Sequence, residues 1–110
     1  MYHINSMIGK TVTIRSIKGD EYIATLTGVD PDQGLITVTE PRVVVVDDNN
    51  VLLYPFALTA ECTTVTLLCQ EIFAILETLP AAAEDYQAVV AESVAQRAAN
   101  ITNSAPESQG

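Results

Sequence analysis

Two segments of alternating hydrophobicity, joined by a tight turn, constrain the fold of this chain more than any other feature. Between residues 10 and 17, Val12 and Ile14 alternate with polar side chains, which is the period of a strand that buries one face. Residues 21–29 alternate in the same way, and Gly19 in the intervening turn can adopt a positive φ. The two segments therefore predict an antiparallel hairpin.

Three further segments have the composition of strands. They are residues 35–46, 51–56 and 61–68, and they are separated by a polar turn and a short connector. Pro41 lies inside the longest segment and indicates an edge or a bulge, because proline cannot donate to a strand ladder. Five short strands at this spacing predict a small closed barrel rather than an open sheet, since closure removes free edges.

Beyond residue 68 the hydrophobic period changes. Apolar residues recur at spacings of three and four, which predicts a short helix directly after the fifth strand. The residues of this pattern are Leu68, Ile72, Ile75, Leu76 and Leu79. We therefore divide the chain into a barrel (1–68), a helical C-terminal extension (69–101) and a tail (102–110) that is predicted to be disordered.

A second, alanine-rich helix is predicted within the extension. Pro80 suits its first turn, and the pattern continues to Ile101. Tyr86, Val90 and Val94 form a narrow apolar stripe along it. Because such a stripe has to be buried, the helix is expected to dock either on its own barrel or on a neighbouring subunit.

The charge balance limits the ligands of this chain. Fourteen acidic residues oppose five basic ones, so the formal net charge is −9. An extended nucleic-acid surface needs lysine and arginine at the phosphates, and this composition disfavours one. A small local site built from stacking, amides and a few cations stays open. The 48% content of hydrophobic residues excludes disorder throughout the chain and points to an oligomer.

Catalytic and metal-binding patterns are weak. His3 is the single histidine, and Cys62 and Cys69 do not form a CxxC pair, so we expect no zinc site and two buried free thiols. The acidic pairs at 30/32 and 47/48 supply too few ligands for a divalent cation and are expected to shape their turns, although ring symmetry could bring Asp30 or Asp32 to line a pore. We expect no catalytic residues, no metal, no cofactor and no enzyme activity.

Residues 8–68 contain a set of glycines, apolar positions and one aspartate at characteristic places in the strands and turns: Gly9, Val12, Ile14, Gly19, Ala24, Leu26, Asp30 and Leu35. In these positions the segment resembles the Sm/LSm family, which includes Hfq-like proteins, and in particular its divergent members of phage or marine-metagenome type. The resemblance implies a mainly β fold, a small five-stranded Sm-like (SH3-type) barrel with a C-terminal helical extension. It also implies a homo-oligomeric ring in which the fourth strand of one subunit pairs with the fifth of the next.

The resemblance also implies a nucleic-acid site near the pore, although this chain departs from the family pattern there. We compare the family's second motif with residues 54–59, where Pro55 and Phe56 replace its basic residues. Gly34 occupies the position of a base-contacting asparagine, with Gln33 beside it. The implied nucleic-acid contacts are Asp30, Gln33, Tyr54 and Phe56, with Arg15 and Lys18 for phosphates. The alternative is that Gln33 and Gly34 form a turn, that Phe56 packs, and that the cations are scattered over a solvated face.

Two functions follow from this interpretation. The first is a ring subunit that binds single-stranded RNA, or alternatively DNA, with a role in nucleic-acid processing. The second is a ring-shaped scaffold without nucleic-acid binding, whose C-terminal helix engages a protein partner. The sequence contains no apolar run long enough to cross a membrane, and its start lacks the pattern of a signal peptide. A cytoplasmic location is therefore expected, in the host cytoplasm if the chain is phage-encoded.

Overall fold

Six strands and a long C-terminal helix form the computed structural model, which describes residues 2–57, 59–60 and 63–107. A short helix α1 (Tyr2–Ser6) precedes the strands. The strands are β1 (Thr11–Ser16), β2 (Glu21–Asp30), β3 (Leu35–Asp47), β4 (Asn50–Pro55), β5 (Thr64–Leu68) and β6 (Ile72–Glu77). A 3₁₀ turn (Cys69–Glu71) joins β5 to β6, and helix α2 spans Pro80–Glu107.

The strands form one antiparallel sheet with the order β4-β3-β2-β1-β6, and β5 pairs with β3 outside this path. The first half of β3 pairs with β5, from Leu35 opposite Leu68 onward, and the second half pairs with β4. The change of partner falls at Glu40, whose φ is +50°, and at Pro41. The predicted mainly β fold with a C-terminal helix is confirmed, but the sheet is not closed, because β5 and β6 do not pair with each other.

The core confirms the alternating pattern of the first hairpin. Val12 and Ile14 on β1 are buried against Ala24 and Leu26 on β2. Ile36 and Val38 on β3 complete this apolar face. Truncating a buried leucine or isoleucine of this kind to alanine costs about 2–5 kcal/mol, so this face holds the sheet together. Cys69 packs at its margin as a half-buried free thiol.

The helix predicted directly after the fifth strand is wrong. Ile72–Glu77 forms β6, which pairs with β1 through Ile14 opposite Ile75. The apolar spacing is ambiguous over so short a segment, and β-branched and aromatic residues such as Ile72 and Phe73 favour a strand. The free edge of β1 also requires a partner for its backbone groups. The sheet therefore extends to Glu77, beyond the predicted barrel boundary at residue 68.

Helix α2 docks on the outer face of its own sheet. Tyr86 is completely buried there, and its hydroxyl donates to the carbonyls of Thr39 (3.1 Å) and Glu40 (3.0 Å). Val90 is half-buried, whereas Val94, the third residue of the predicted stripe, is 49% exposed. The helix turns Ser93 and Arg97 towards the sheet instead, because these side chains find polar partners there.

A buried charge cluster fastens the middle of α2 to β3. The carboxylate of Glu40 accepts hydrogen bonds from Arg97 Nη2 (2.6 Å) and from Arg42 Nη2 (3.3 Å). Arg42 Nη2 also donates to Ser93 Oγ at 3.1 Å. Glu40 and Arg42 are both buried. Burial of an ion pair is tolerated when each charge keeps its partners, as it does here.

The end of the chain was predicted to be disordered from residue 102. Helix α2 continues through the first part of that tail to Glu107, and residues 108–110 lie outside the described residues. Leu58, Glu61 and Cys62 also lie outside them, and with them part of the predicted fifth strand and one predicted thiol. Among the described helices, none is long and apolar enough to cross a membrane.

Candidate nucleic-acid interface

The β2–β3 loop is shaped by Asp30. The carboxylate of Asp30 accepts a hydrogen bond from the backbone N–H of Gln33, three residues on, at 3.3 Å, a local side-chain-to-backbone bond that stabilises the turn. Gly34 has a φ of +67°, a value that glycine adopts without steric cost. Asp30 therefore acts on its own turn, while the side chain of Gln33 is exposed to solvent.

Three connections meet at one end of the sheet. The N–H of Cys69 in the 3₁₀ turn donates to the carbonyl of Gly34 at 2.8 Å. On the other side of this turn, the N–H of Ile17 donates to the carbonyl of Glu71 at 3.0 Å. The 3₁₀ turn thus links the β2–β3 loop to the β1–β2 turn. We call residues 17–20, 31–34 and 69–71 the loop cluster.

The β1–β2 turn presents Lys18 within this cluster. Ser16 Oγ accepts hydrogen bonds from the N–H groups of Lys18 (3.3 Å) and Asp20 (3.1 Å). Gly19 takes a φ of +98°, as expected for this turn. Lys18 is the cation of the loop cluster, which also contains the carboxylates of Asp20, Asp32 and Glu71, with Asp30 at its border. This balance disfavours extensive phosphate contacts.

A cavity of about 350 Å³ opens beside the loop cluster. Phe56 packs against Tyr22 at its wall, with ring centroids 5.2 Å apart and the planes inclined at 57°. The cavity is also lined by Lys18, Leu68 and Glu71. Partial burial and the neighbouring Asp20 carboxylate raise the pKa of Tyr22 above its ordinary value, so its hydroxyl remains a donor at neutral pH. The site combines aromatic faces with a cation and hydrogen-bonding groups.

The structure separates the six predicted nucleic-acid contacts into three places. Phe56 and Lys18 line the cavity, and Asp30 and Gln33 belong to the adjoining loop. Arg15 forms a cross-strand ion pair with Glu21 (3.5 Å) and lines a different groove. Tyr54 lies exposed on β4 opposite Val43.

Sequence reasoning did not find Tyr22 or the 3₁₀ turn. We compared the family's second motif with residues 54–59, but the connection that meets the β2–β3 loop is Cys69–Glu71. Cys69–Glu71 is the connection directly before β6, so it is recognisable from the sequence only if Ile72–Glu77 is assigned to a strand. Cys69–Glu71 contains no lysine or arginine. The basic residue of the family's second motif is therefore missing at this connection, as it is at residues 54–59.

The architecture is that of a small β fold, a six-stranded antiparallel sheet between a short N-terminal helix and a long C-terminal one. No family model matches the sequence, and no curated protein matches it. Solved structures do match. A heptameric archaeal Sm protein aligns with a TM-score of 0.53 and 15% identity, covering 72% of this chain and 100% of that protein.

Two other Sm proteins align in the same way. The P. aerophilum SmAP1 heptamer has a TM-score of 0.52 and 15% identity, over 71% of this chain and 90% of that one. A Pyrococcus abyssii Sm protein in complex with a uridine heptamer has a TM-score of 0.51 and 19% identity, over 70% and 94%. The chain therefore has an Sm-like fold, as the resemblance of residues 8–68 implied.

Proposed function

We propose that this chain is the subunit of an Sm-like ring that binds single-stranded RNA without catalysing a reaction on it. The observation that carries the proposal is the cavity formed by Tyr22, Phe56 and Lys18 beside the loop cluster. Unpaired bases stack on aromatic side chains and hydrogen-bond through their edges. The similarity to an Sm protein in complex with a uridine heptamer supports RNA as the ligand.

Unpaired strand edges support the ring. In the described sheet, β6 pairs with β1 alone and β5 with β3 alone. Both strands carry exposed apolar side chains, with Phe73 78% exposed and Leu68 48% exposed. Free apolar edges promote association between chains. Pairing of β6 in one copy with β5 in the next would satisfy both edges, and it moves the subunit contact from the predicted fourth and fifth strands to β5 and β6.

We expect Phe73→Asp to dissociate the ring. A carboxylate at this exposed position would be buried between β6 and the neighbouring copy, and an unpaired buried charge is strongly unfavourable. Light scattering coupled to size exclusion should show a mass several-fold above 11.8 kDa for the wild type and close to it for the variant. Val94→Asp, on the exposed face of α2, is the matched control and should keep the wild-type mass. A monomeric wild type contradicts the ring.

The proposed RNA affinity is modest. Stacking contributes about 1–3 kcal/mol per base without reading sequence. Each subunit offers few cations near the cavity, so few counterions are released and the salt dependence is shallow. Repetition around a ring compensates for this weakness, because one strand can contact several subunits at once.

Phe56→Leu tests the cavity. Leucine keeps the apolar contact with Tyr22 but removes the stacking face, so we expect the affinity for a fluorescent oligouridine to fall by about tenfold. Lys18→Gln should weaken binding and flatten its salt dependence. Val94→Ala is the neutral control. In anisotropy titrations, absence of wild-type binding at low salt contradicts the RNA proposal. A loss confined to Tyr54→Ala would instead place the bases on β4.

A further inference from the structure

A second, larger groove is lined by Arg15 and meets the cavity of Phe56 at Asp20. Its volume is about 790 Å³. The floor is the outer face of β1 and β2, the first wall is the outer part of the β3–β4 hairpin, and the second wall is the start of α2. The lining side chains are mostly apolar and include Ile23, Val44, Val46, Val51, Leu53 and Leu79. We call this the valine groove.

The hairpin wall of the valine groove lacks support from the rest of the sheet. Pairing between β2 and β3 ends at Tyr22 and Val43. Beyond Val43, β3 pairs with β4 alone, as far as Asp47 opposite Asn50. An isolated two-stranded hairpin is marginally stable in water. This hairpin nevertheless exposes an apolar cross-strand pair, Val46 (67%) and Val51 (63%).

The helix wall is equally uncovered. Leu79, directly before α2, is 76% exposed, and Ala81 and Ala82 follow it along the groove. The docking contacts of α2 begin just beyond the groove, where the Tyr86 hydroxyl is hydrogen-bonded to Thr25 and Thr39. Ile23 lies buried at the floor, and the exposed part of the valine groove is formed by Leu79 on the helix side and by Val46 and Val51 on the hairpin side.

The charges around the valine groove select its occupant. Its lining contains three carboxylates, Asp20, Glu21 and Asp85, against the guanidinium of Arg15. Arg15 is paired with Glu21, so Asp20 and Asp85 leave the rim negative. The hairpin tip adds the exposed Asp47 and Asp48. A second copy of this chain, with its net charge of −9, would bring further negative charge to this rim.

We propose that the valine groove binds a basic amphipathic helix of a partner protein. Most of the side chains that line the groove are apolar, which suits a helix that inserts one apolar face. Lysine or arginine residues beside that face would meet Asp20 and Asp85. The groove and the cavity of Phe56 share one lining residue, Asp20, and Asp85 and the valines belong to the groove alone.

The test uses two labelled peptides of about 18 residues, or five helical turns. One is an amphipathic helix of leucine and lysine, and the other carries glutamate in place of lysine. Anisotropy titrations of the full chain should show saturable micromolar binding of the lysine peptide and much weaker binding of the glutamate peptide. Absence of saturable binding, or equal binding of both peptides, overturns the proposal.

Substitutions in the valine groove test whether the lysine peptide binds there. Val46→Thr combined with Val51→Thr keeps the charge and the β-branched shape but removes apolar surface, so the affinity should fall by about tenfold or more. Val94→Thr is the matched control and should bind as the wild type does. Asp85→Asn should weaken the lysine peptide several-fold, independently of any effect of the threonines on folding. The proposal is overturned if the double threonine variant and Asp85→Asn both bind the lysine peptide as the wild type does. It is also overturned if the double threonine variant forms a smaller oligomer, a result that would assign the groove to a contact between copies.

Discussion

Replacing Tyr86 with alanine is expected to lower the free energy of unfolding by about 3–5 kcal/mol, the range for removing a buried aromatic ring. Tyr86 is completely buried between α2 and the sheet. Its hydroxyl is hydrogen-bonded to the carbonyls of Thr39 and Glu40 and lies 3.2 Å from Thr25 Oγ1. The variant loses the ring that fills this space and strands two carbonyls at the interface. Urea unfolding measures the effect.

The stability contributed by the Tyr86 hydroxyl can be measured separately from that of its ring. Tyr86→Phe keeps the ring and should cost about 1–3 kcal/mol, since it leaves buried acceptors without a donor. Tyr54→Phe is the matched control, because Tyr54 is exposed on β4, and its effect should stay within about 0.5 kcal/mol. Hydrogen exchange should show the loss of protection concentrated in α2 for the Tyr86 variants. Unchanged urea midpoints and exchange for Tyr86→Ala would show that α2 is not anchored there.

Glu40→Gln is expected to destabilise the fold by about 3–5 kcal/mol, because it leaves buried positive charge without a counterion. The Glu40 carboxylate is shared by Arg42 and Arg97, and the Arg42 side chain is buried with it. The amide of glutamine accepts a hydrogen bond but carries no charge. Urea unfolding again measures the loss.

Glu77→Gln is the matched control for Glu40→Gln, because it removes the carboxylate of an exposed ion pair instead of a buried one. Glu77 pairs with Lys10 at 3.3 Å, but both side chains are exposed, and a pair of this kind contributes about 0–1 kcal/mol. Combining Glu40→Gln with Arg42→Met should recover part of the loss, since the uncompensated buried charge is then removed. Equal effects of Glu40→Gln and Glu77→Gln would contradict the importance of the buried cluster.

Local patterns predicted the first half of this fold and not the strand β6, which pairs with β1 at the edge of the sheet. The alternation around Val12 and Ile14 is a direct consequence of a sheet with one buried face, so β1 and β2 follow from the sequence. The strand β6 does not, because its apolar spacing fits either a helix or a strand. What decides between them is the free edge of β1, which lies about sixty residues earlier in the chain. No local pattern contains that information.

In the candidate site, too, the local turn was predictable and the contacts between distant segments were not. Asp30 and Gly34 could be placed in a turn from their residue types alone. The meeting of Gly34 with Cys69, and of Phe56 with Tyr22, depends on how β3 divides its length between β4 and β5. The docking of α2 through Tyr86 was one of the two predicted alternatives. The contacts of Ser93 and Arg97 were not predicted, because these side chains reach Arg42 and Glu40 through polar and charged groups rather than through an apolar stripe.

The pairing of β1 with β6 has a consequence for the order of folding. The hairpins of β1, β2 and β3 join neighbouring segments and close short loops, so they can form while the rest of the chain is still being synthesised. The edge of β1 has to wait for Ile72–Glu77, and α2 docks only after that. During this interval a nascent chain presents an unpaired strand to other nascent chains. Chaperone contact and misassembly between copies should therefore concentrate at β1, which forms early and keeps one edge open until β6 pairs with it.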